Sequence, residues 1–276
     1  MANAPKPTTV KKESSATASN LFATLVIPIA IIIGICLYKF VLGNPENFVD
    51  NDPEKAAKVG NYLGIAYKGG FIVPILMGML LMVFIFSIER LIVIGKATGK
   101  ASLDTFIRKI QSLLSANNID AASAECDKQQ GSVANVIKSG LKKYREVEAD
   151  PNLDVEQSVV AIQKDIEEAT SLEMPMLEQN LTVIATLVSV GTLMGLLGTV
   201  TGMIKAFGGL ATSGAPDQAK LAEGISEALV NTATGISTST LAIIMYNILT
   251  SKIDKLTYAI DEAGFSIIQT YASSHK

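Results

Sequence analysis

The sequence predicts an all-α, polytopic membrane protein. Three observations predict it. Four long apolar runs recur along the 276 residues. Hydrophobic residues make up 49% of the chain and charged ones only 18%, below the roughly 25% of ordinary soluble domains, and the mean hydropathy is +0.36. No stretch alternates apolar and polar residues as a half-buried strand would, whereas apolar residues at helical spacing recur.

A bilayer is crossed by about 20 mostly apolar residues in a helix. After a tail over 1–20, the run LFATLVIPIAIIIGICLYKF, Leu21 to Phe40, defines an N-terminal span over 21–43. Its apolar part is longer than a signal-peptide core and no small-residue cleavage site follows, so it reads as a retained helix. The breaker-rich GNPENFVDNDPEK opens a connection over 44–69. A second span covers 70–95, where FIVPILMGMLLMVFIFSI runs into SIER and LIVIG. Residues 96–179 form a soluble helical segment. Ser102 can cap a run with Phe106, Ile107, Ile110, Leu113 and Leu114 at helical spacing. NIDAASAEC and SVANVIKSGLKKYREV follow across Gly131, and ADPNLD is a loop by composition. From Val155 an amphipathic helix is expected to continue past Pro175 into a third span over 180–211. A short loop over 212–224 leads to a fourth span over 225–251, and 252–276 keeps a helical pattern.

Basic residues orient the spans, because cytoplasmic flanks collect lysine and arginine. Lys6, Lys11 and Lys12 mark the N-terminal tail; Lys96, Lys100, Arg108 and Lys109 the middle segment; Lys252 and Lys255 the C-terminal one. The 211–224 connection has only Lys220, and 44–68 mixes Lys55, Lys58 and Lys68 with four acids. The tail, the middle segment and the C-terminal helix are therefore expected in the cytoplasm, with two small connections outside.

Several function classes are disfavoured. A net charge of -3 leaves no basic footprint for nucleic acid. The single histidine, His275, rules out a histidine triad or a multi-histidine metal centre, and no G-x-S-x-G turn is present. Cys36 and Cys126 lie in unlike settings and suggest neither a disulfide framework nor a metal site. No enzyme, cofactor or metal is expected.

The informative stretch is LMGLLGTVTGMIKAF, over 193–207. Gly191, Gly195, Gly198 and Gly202, spaced four, three and four apart, fall on one helical stripe. Small residues let helix backbones approach in lipid, where the hydrophobic drive between helices is weak. Thr192 and Thr199 flank the stripe on one side and Thr201 on the other. Taken alone, such threonines can simply bond their own backbone one turn back. The fourth span, GISEALVNTATGISTSTLAIIMYN, adds a polar face of Glu227, Asn231, Thr234 and Thr238. Beside it run Ala228, Thr232, Gly235, Ser239 and Ala242. A carboxylate within a span usually faces a protein interior or a water path; the alternative is that Glu227 lies near enough to the outer surface to be solvated. Two such helices describe the wall of a polar conduit or a groove for another helix. Threonine does not titrate usefully, so a proton route here would need a carboxylate from a partner.

LTVIATLVSVGTLMGLLGTVTGMIKAF followed by GISEALVNTATGIS and YN resembles the ExbB/TolQ/MotA proton-channel family, on its ExbB side. The likeness extends upstream through LEMPMLEQNL and NNIDAASAECDKQQGSVANVIKSGL to the SIERL run, about residues 70 to 255. The resemblance implies long helices extending into the cytoplasm and a homo-oligomeric ring, expected to be a pentamer, around a central pore. The pore would hold an ExbD-like single-helix partner carrying a membrane aspartate, in the inner membrane, with a TonB-like protein delivering the work to outer-membrane receptors. It also implies that Thr199 and Thr232 line the pore opposite that aspartate, and that Glu227 is the acid at its outer end. Asn231, Thr234 and Thr238 join the expected pore-lining set; Gly191, Gly195, Gly198, Gly202 and Gly235 are expected to pack helices. The chain departs from the family at Gly191-Thr192, where Ala-Pro is usual, and at Leu241, where proline is usual. The N-terminal span is additional to the three helices of ExbB and TolQ and is expected to pack outside the ring. TolQ-type and MotA-type stators, and a passive helical scaffold, are the alternatives.

Overall fold

A computed structural model describes residues 13–212 and 218–275. Nine α-helices are present among the described residues: α1 (Glu13–Leu37), α2 (Tyr62–Tyr67), α3 (Ile72–Thr98), α4 (Leu103–Ser115), α5 (Ile119–Gln129), α6 (Ser132–Glu148), α7 (Val155–Glu178), α8 (Leu181–Thr212) and α9 (Gln218–Ser274). Among these residues β-structure is limited to an antiparallel bridge between Phe48 and Ala57. Among the described residues four stretches are long and apolar enough to cross a membrane: Phe22–Leu42, Ile72–Ser115, Val155–Gly208 and Gln218–Ser274. The chain divides into two compact units, one of residues up to Ile85 with Thr186–Leu241, the other of Phe86–Ala185 with the chain from Ala242.

In the first unit, α1 lies against α3 through glycine. A Cβ on Gly34 would fall 2.6 Å from the Pro74 carbonyl and 2.7 Å from the Gly78 nitrogen. Beyond α1 the chain winds one π-helical turn over Tyr38–Leu42 and builds a small cap. Tyr38 stacks on Tyr67 with ring centroids 4.6 Å apart and donates its hydroxyl to the Tyr67 carbonyl. Asn47 ties the cap together by donating to the carbonyls of Val41 and Leu42, and Phe48 is fully buried beside it. The 44–69 connection is thus folded. Outward from this unit, Leu25, Ile29, Ile32, Leu193, Leu196 and Ile204 remain exposed. Exposed apolar faces of this extent mark lipid or protein contact.

The second unit has a conventional apolar core. Phe106, Ile107, Ile110 and Leu114 of α4 are buried at the spacing expected of them. Val133, Val136, Ile137, Leu141 and Tyr144 of α6 and Ile253, Leu256, Ile260 and Ile267 of α9 are buried as well. Ser102 stands at the start of α4, but its hydroxyl pairs with that of Thr105 rather than with a backbone N–H. Asp154 caps α7 in a reciprocal capping box with Gln157.

The single helix expected from Val155 into the third span is two helices. The helix from Val155 does run past Pro175, but it ends at Glu178, and α8 starts anew at Leu181. Asn180 adopts a left-handed φ of 64° at the break, a conformation in which asparagine is enriched. The joint is held by Arg90, whose side chain is 2% exposed and whose Nη1 donates to the Met176 carbonyl at 2.9 Å. Its guanidinium also pairs with Glu89, whose carboxylate accepts from the Asn180 side chain. A cation at the carboxyl end of a helix meets unsatisfied carbonyls and the negative pole of its dipole.

Candidate functional site

α8 and α9 approach through the glycine stripe. A methyl on Gly195 would fall 3.2 Å from the Asn231 carbonyl and 3.2 Å from the Gly235 Cα; one on Gly202 would fall 2.7 Å from the Gly224 carbonyl. Gly191 faces Gly235 and Ser239, and Gly198 faces the Asn231 side chain. The Thr192 hydroxyl bonds that of Ser239 across the same seam at 2.9 Å. All five glycines singled out by spacing lie at this contact.

The polar face of α9 is shared between inside and outside. Asn231 and Thr238 are fully buried within the chain, so neither presents a surface to a helix outside it. Asn231 Nδ2 donates to the Gly69 carbonyl at 2.8 Å, and Thr238 bonds the Thr234 carbonyl. Thr199 and Thr232 are only half-buried. Each donates to its own helix, Thr199 to Leu196 O at 2.6 Å and Thr232 to Ala228 O at 3.1 Å. Thr234 does likewise to Val230 O. A hydroxyl so engaged still offers acceptor lone pairs. Thr199 heads a shallow apolar depression of about 670 Å³ lined by Val200, Met203, Ile204, Phe207 and Gly208.

Glu227 is buried within the chain. Both its oxygens accept from Lys205 of α8, at 2.7 and 2.9 Å. The Gly69–Gly70 turn wraps the carboxylate. Gly70 has φ +77°, and a Cβ there would fall 2.4 Å from Glu227 Oε1. Glycine is required twice over, by backbone conformation and by space. Lys205 Nζ also lies 6.0 Å from the centroid of the Phe71 ring, the outer reach of a cation–π contact. Lys205 escapes a reading of sequence alone: a lone lysine near the end of a span reads as snorkelling to the interface. Its being a charge in the third apolar run was the available signal. Among the described residues no group of three His, Cys, Asp or Glu could hold a metal.

The four long apolar stretches among the described residues, two of them joined by the Lys205–Glu227 ion pair, suggest a multi-pass helical membrane protein. Residues 128–262 match the MotA/TolQ/ExbB proton channel family, and relatives named TolQ and ExbB are similar to the chain at modest identity. The Tol-Pal system protein TolQ of Pseudomonas aeruginosa is 28% identical over 158 residues, 57% of this chain and 68% of that one. An ExbB homolog of Methanothermobacter thermautotrophicus is 26% identical over 196 residues, 71% of this chain and 65% of its own. The biopolymer transport protein ExbB of Salmonella typhimurium is 31% identical over 85 residues, 31% of this chain and 35% of its own. The chain thus spans between 35% and 68% of these relatives' lengths. The matched family is one of proton channels.

Proposed function

We propose that this chain is an ExbB-like inner-membrane subunit of a motor driven by the proton-motive force. Several copies, expected to be five, surround membrane helices of a small ExbD-like partner that carries an aspartate. Ion flow past that aspartate drives motion, which a TonB-like protein carries to outer-membrane transport. The observation that carries this reading is the disposition of the hydroxyls. Thr199 and Thr232 keep half-exposed side chains on two helices locked together by glycine, a rigid polar wall with no titrating group of its own between them. Such a wall conducts protons only when a carboxylate is supplied from outside. Asn231 and Thr238 support the wall from within; Thr199 and Thr232, with Thr234 beside them, form its open side. The TolQ role is the second reading, supported by the 28% identity to TolQ of Pseudomonas aeruginosa over 68% of that protein.

The test is co-purification of the tagged chain with the small single-helix proteins encoded beside it, followed by reconstitution and flux assays under separate H⁺ and Na⁺ gradients. A stable complex whose flux disappears when the partner's membrane aspartate is replaced supports the motor. Absence of any such complex, with Thr199 and Thr232 replaceable without consequence, leaves a helical scaffold. Suppression of outer-membrane uptake defects, as against envelope-integrity defects, by the expressed chain separates the ExbB role from the TolQ role.

A further inference from the structure

We propose that the Lys205 ammonium is the resident cation of an oxygen site built by Glu227 and Asn231, and that it denies this site to Na⁺. The consequence for ion choice during flux rests on the conduit reading above; the existence of the site does not.

Glu227 brings two carboxylate oxygens, with its side chain 6% exposed, and both are taken by a lysine that is itself 53% exposed. The exposed partner can therefore be removed or displaced while the acid stays in place. One turn along the same face, Asn231 is fully buried. Its Nδ2 is committed to the Gly69 carbonyl. Its Oδ1 has no hydrogen-bond partner among the described residues. The face thus holds three buried acceptor oxygens, two occupied by one ammonium and the third unpartnered. The Gly70 turn closes over Glu227 Oε1 at a distance no side chain would allow.

Rings and clusters of carboxylate and carbonyl oxygens in low-dielectric surroundings replace the hydration shell of small cations. A buried carboxylate must be paired by something. Lys205 supplies the charge on a tether, so its local concentration far exceeds that of salt in solution. Its five-atom reach from α8 places Nζ symmetrically between the two oxygens, and the Phe71 ring lies behind it. With both oxygens held, a metal ion finds no ligand set. A proton needs none, because it moves along a hydrogen bond between existing partners. Lys205 is accordingly a specificity-determining residue rather than a carrier.

The test uses the full chain in detergent and compares thermal unfolding in NaCl with unfolding in choline chloride at equal ionic strength. The wild type is expected to melt at the same temperature in both. Lys205→Met is expected to melt several degrees higher in NaCl, with a rise that saturates with concentration as a binding equilibrium requires. The rise is expected to vanish in Lys205→Met/Glu227→Gln. Lys205→Gln, which keeps a donor, serves the same comparison should the methionine variant not fold in either salt. Equal midpoints in the two salts for both lysine variants overturn the proposal, as does a Na⁺ rise in the wild type or one that survives Glu227→Gln. In the reconstituted complex, wild-type H⁺ flux is expected to ignore Na⁺ and Lys205→Met flux to be inhibited by it. A wild-type complex that carries no ion removes the conduit reading, while the melting comparison still decides the site.

Discussion

Gly235 and Gly195 meet backbone to backbone: a methyl on Gly235 would stand 2.7 Å from the Gly195 Cα and 2.7 Å from the Gly191 carbonyl. Nothing at this crossing can rotate aside, so α8 and α9 would have to separate. Gly191 faces a softer neighbour. Its methyl would meet the Ser239 hydroxyl at 2.7 Å and the Gly235 carbonyl only at 3.4 Å.

Gly235→Ala is therefore expected to destabilise the first unit by about 1–3 kcal/mol, the usual range for overpacking a tight contact. Gly191→Ala should cost less, because a hydroxyl can turn. Gly95→Ala is the control, since a Cβ there meets nothing within 4 Å; it should be neutral or gain up to about 1 kcal/mol from helix propensity. Unfolding midpoints in detergent check the order. Equal losses at Gly235 and Gly95 would mean that the seam is not held by close approach.

Thr199→Ala and Thr232→Val are expected to separate stability from conduction. Each hydroxyl is bonded only to its own helix, at Leu196 O and Ala228 O, so removal leaves no buried partner and should change stability by no more than about 0.5 kcal/mol. Flux through the reconstituted complex should fall at least about ten-fold, equivalent to about 1.4 kcal/mol in the barrier. Full flux in both variants would reduce the hydroxyls to helix decoration.

The legibility of these features differs for physical reasons. The glycine stripe can be read from spacing because a helix repeats every 3.6 residues and only a backbone contact asks for glycine four times on one side. Thr199 and Thr232 are reached through motifs rather than through periodicity. Asn231 shows where pattern reading stops: it shares a helical face with Glu227, yet what that face meets is decided by the Gly69–Gly70 turn, 162 residues away from Asn231 in the chain at Gly69. Lys205 and Glu227 pair across two helices, which neither residue's surroundings in sequence announce. At the α7–α8 joint Pro175 is the conspicuous breaker, but the helix runs through it and ends at Glu178, just before the left-handed Asn180, because Arg90 and Glu89 supply the partners that a terminus needs.

Arg90→Met should open that joint. The guanidinium is buried, and its loss leaves the Glu89 charge unpaired and the Met176 carbonyl without its donor. Breaking a buried pair from one side costs roughly 3–5 kcal/mol. Hydrogen exchange over 172–184 should accelerate markedly, and Glu89→Gln/Arg90→Met should recover part of the loss by removing the stranded charge. Unchanged exchange in Arg90→Met would place the stability of the joint in its apolar contacts, Leu177 and Leu181, which are both buried.

Cys126 gives a pH signature to the second unit. The thiol is free and buried on α5. Burial pushes its pKa up to about 12, with Asp127 adding to the rise and Lys138 opposing it. The folded value thus lies above the unfolded value of 9.0. The unfolded chain releases this proton first, so the contribution is complete below about pH 9 and is lost as pH rises from there toward 12. Within that window each pH unit is worth about 1.4 kcal/mol from this group. Between pH 8 and 10.5 the wild type should therefore lose roughly 2 kcal/mol more than Cys126→Ala, the difference cancelling the lysines and tyrosines common to both. A maleimide at pH 8 should leave Cys126 unmodified in the folded chain and label it after denaturation. Parallel pH profiles for the two proteins, or rapid labelling in the folded state, would show that the α5 thiol is open to water.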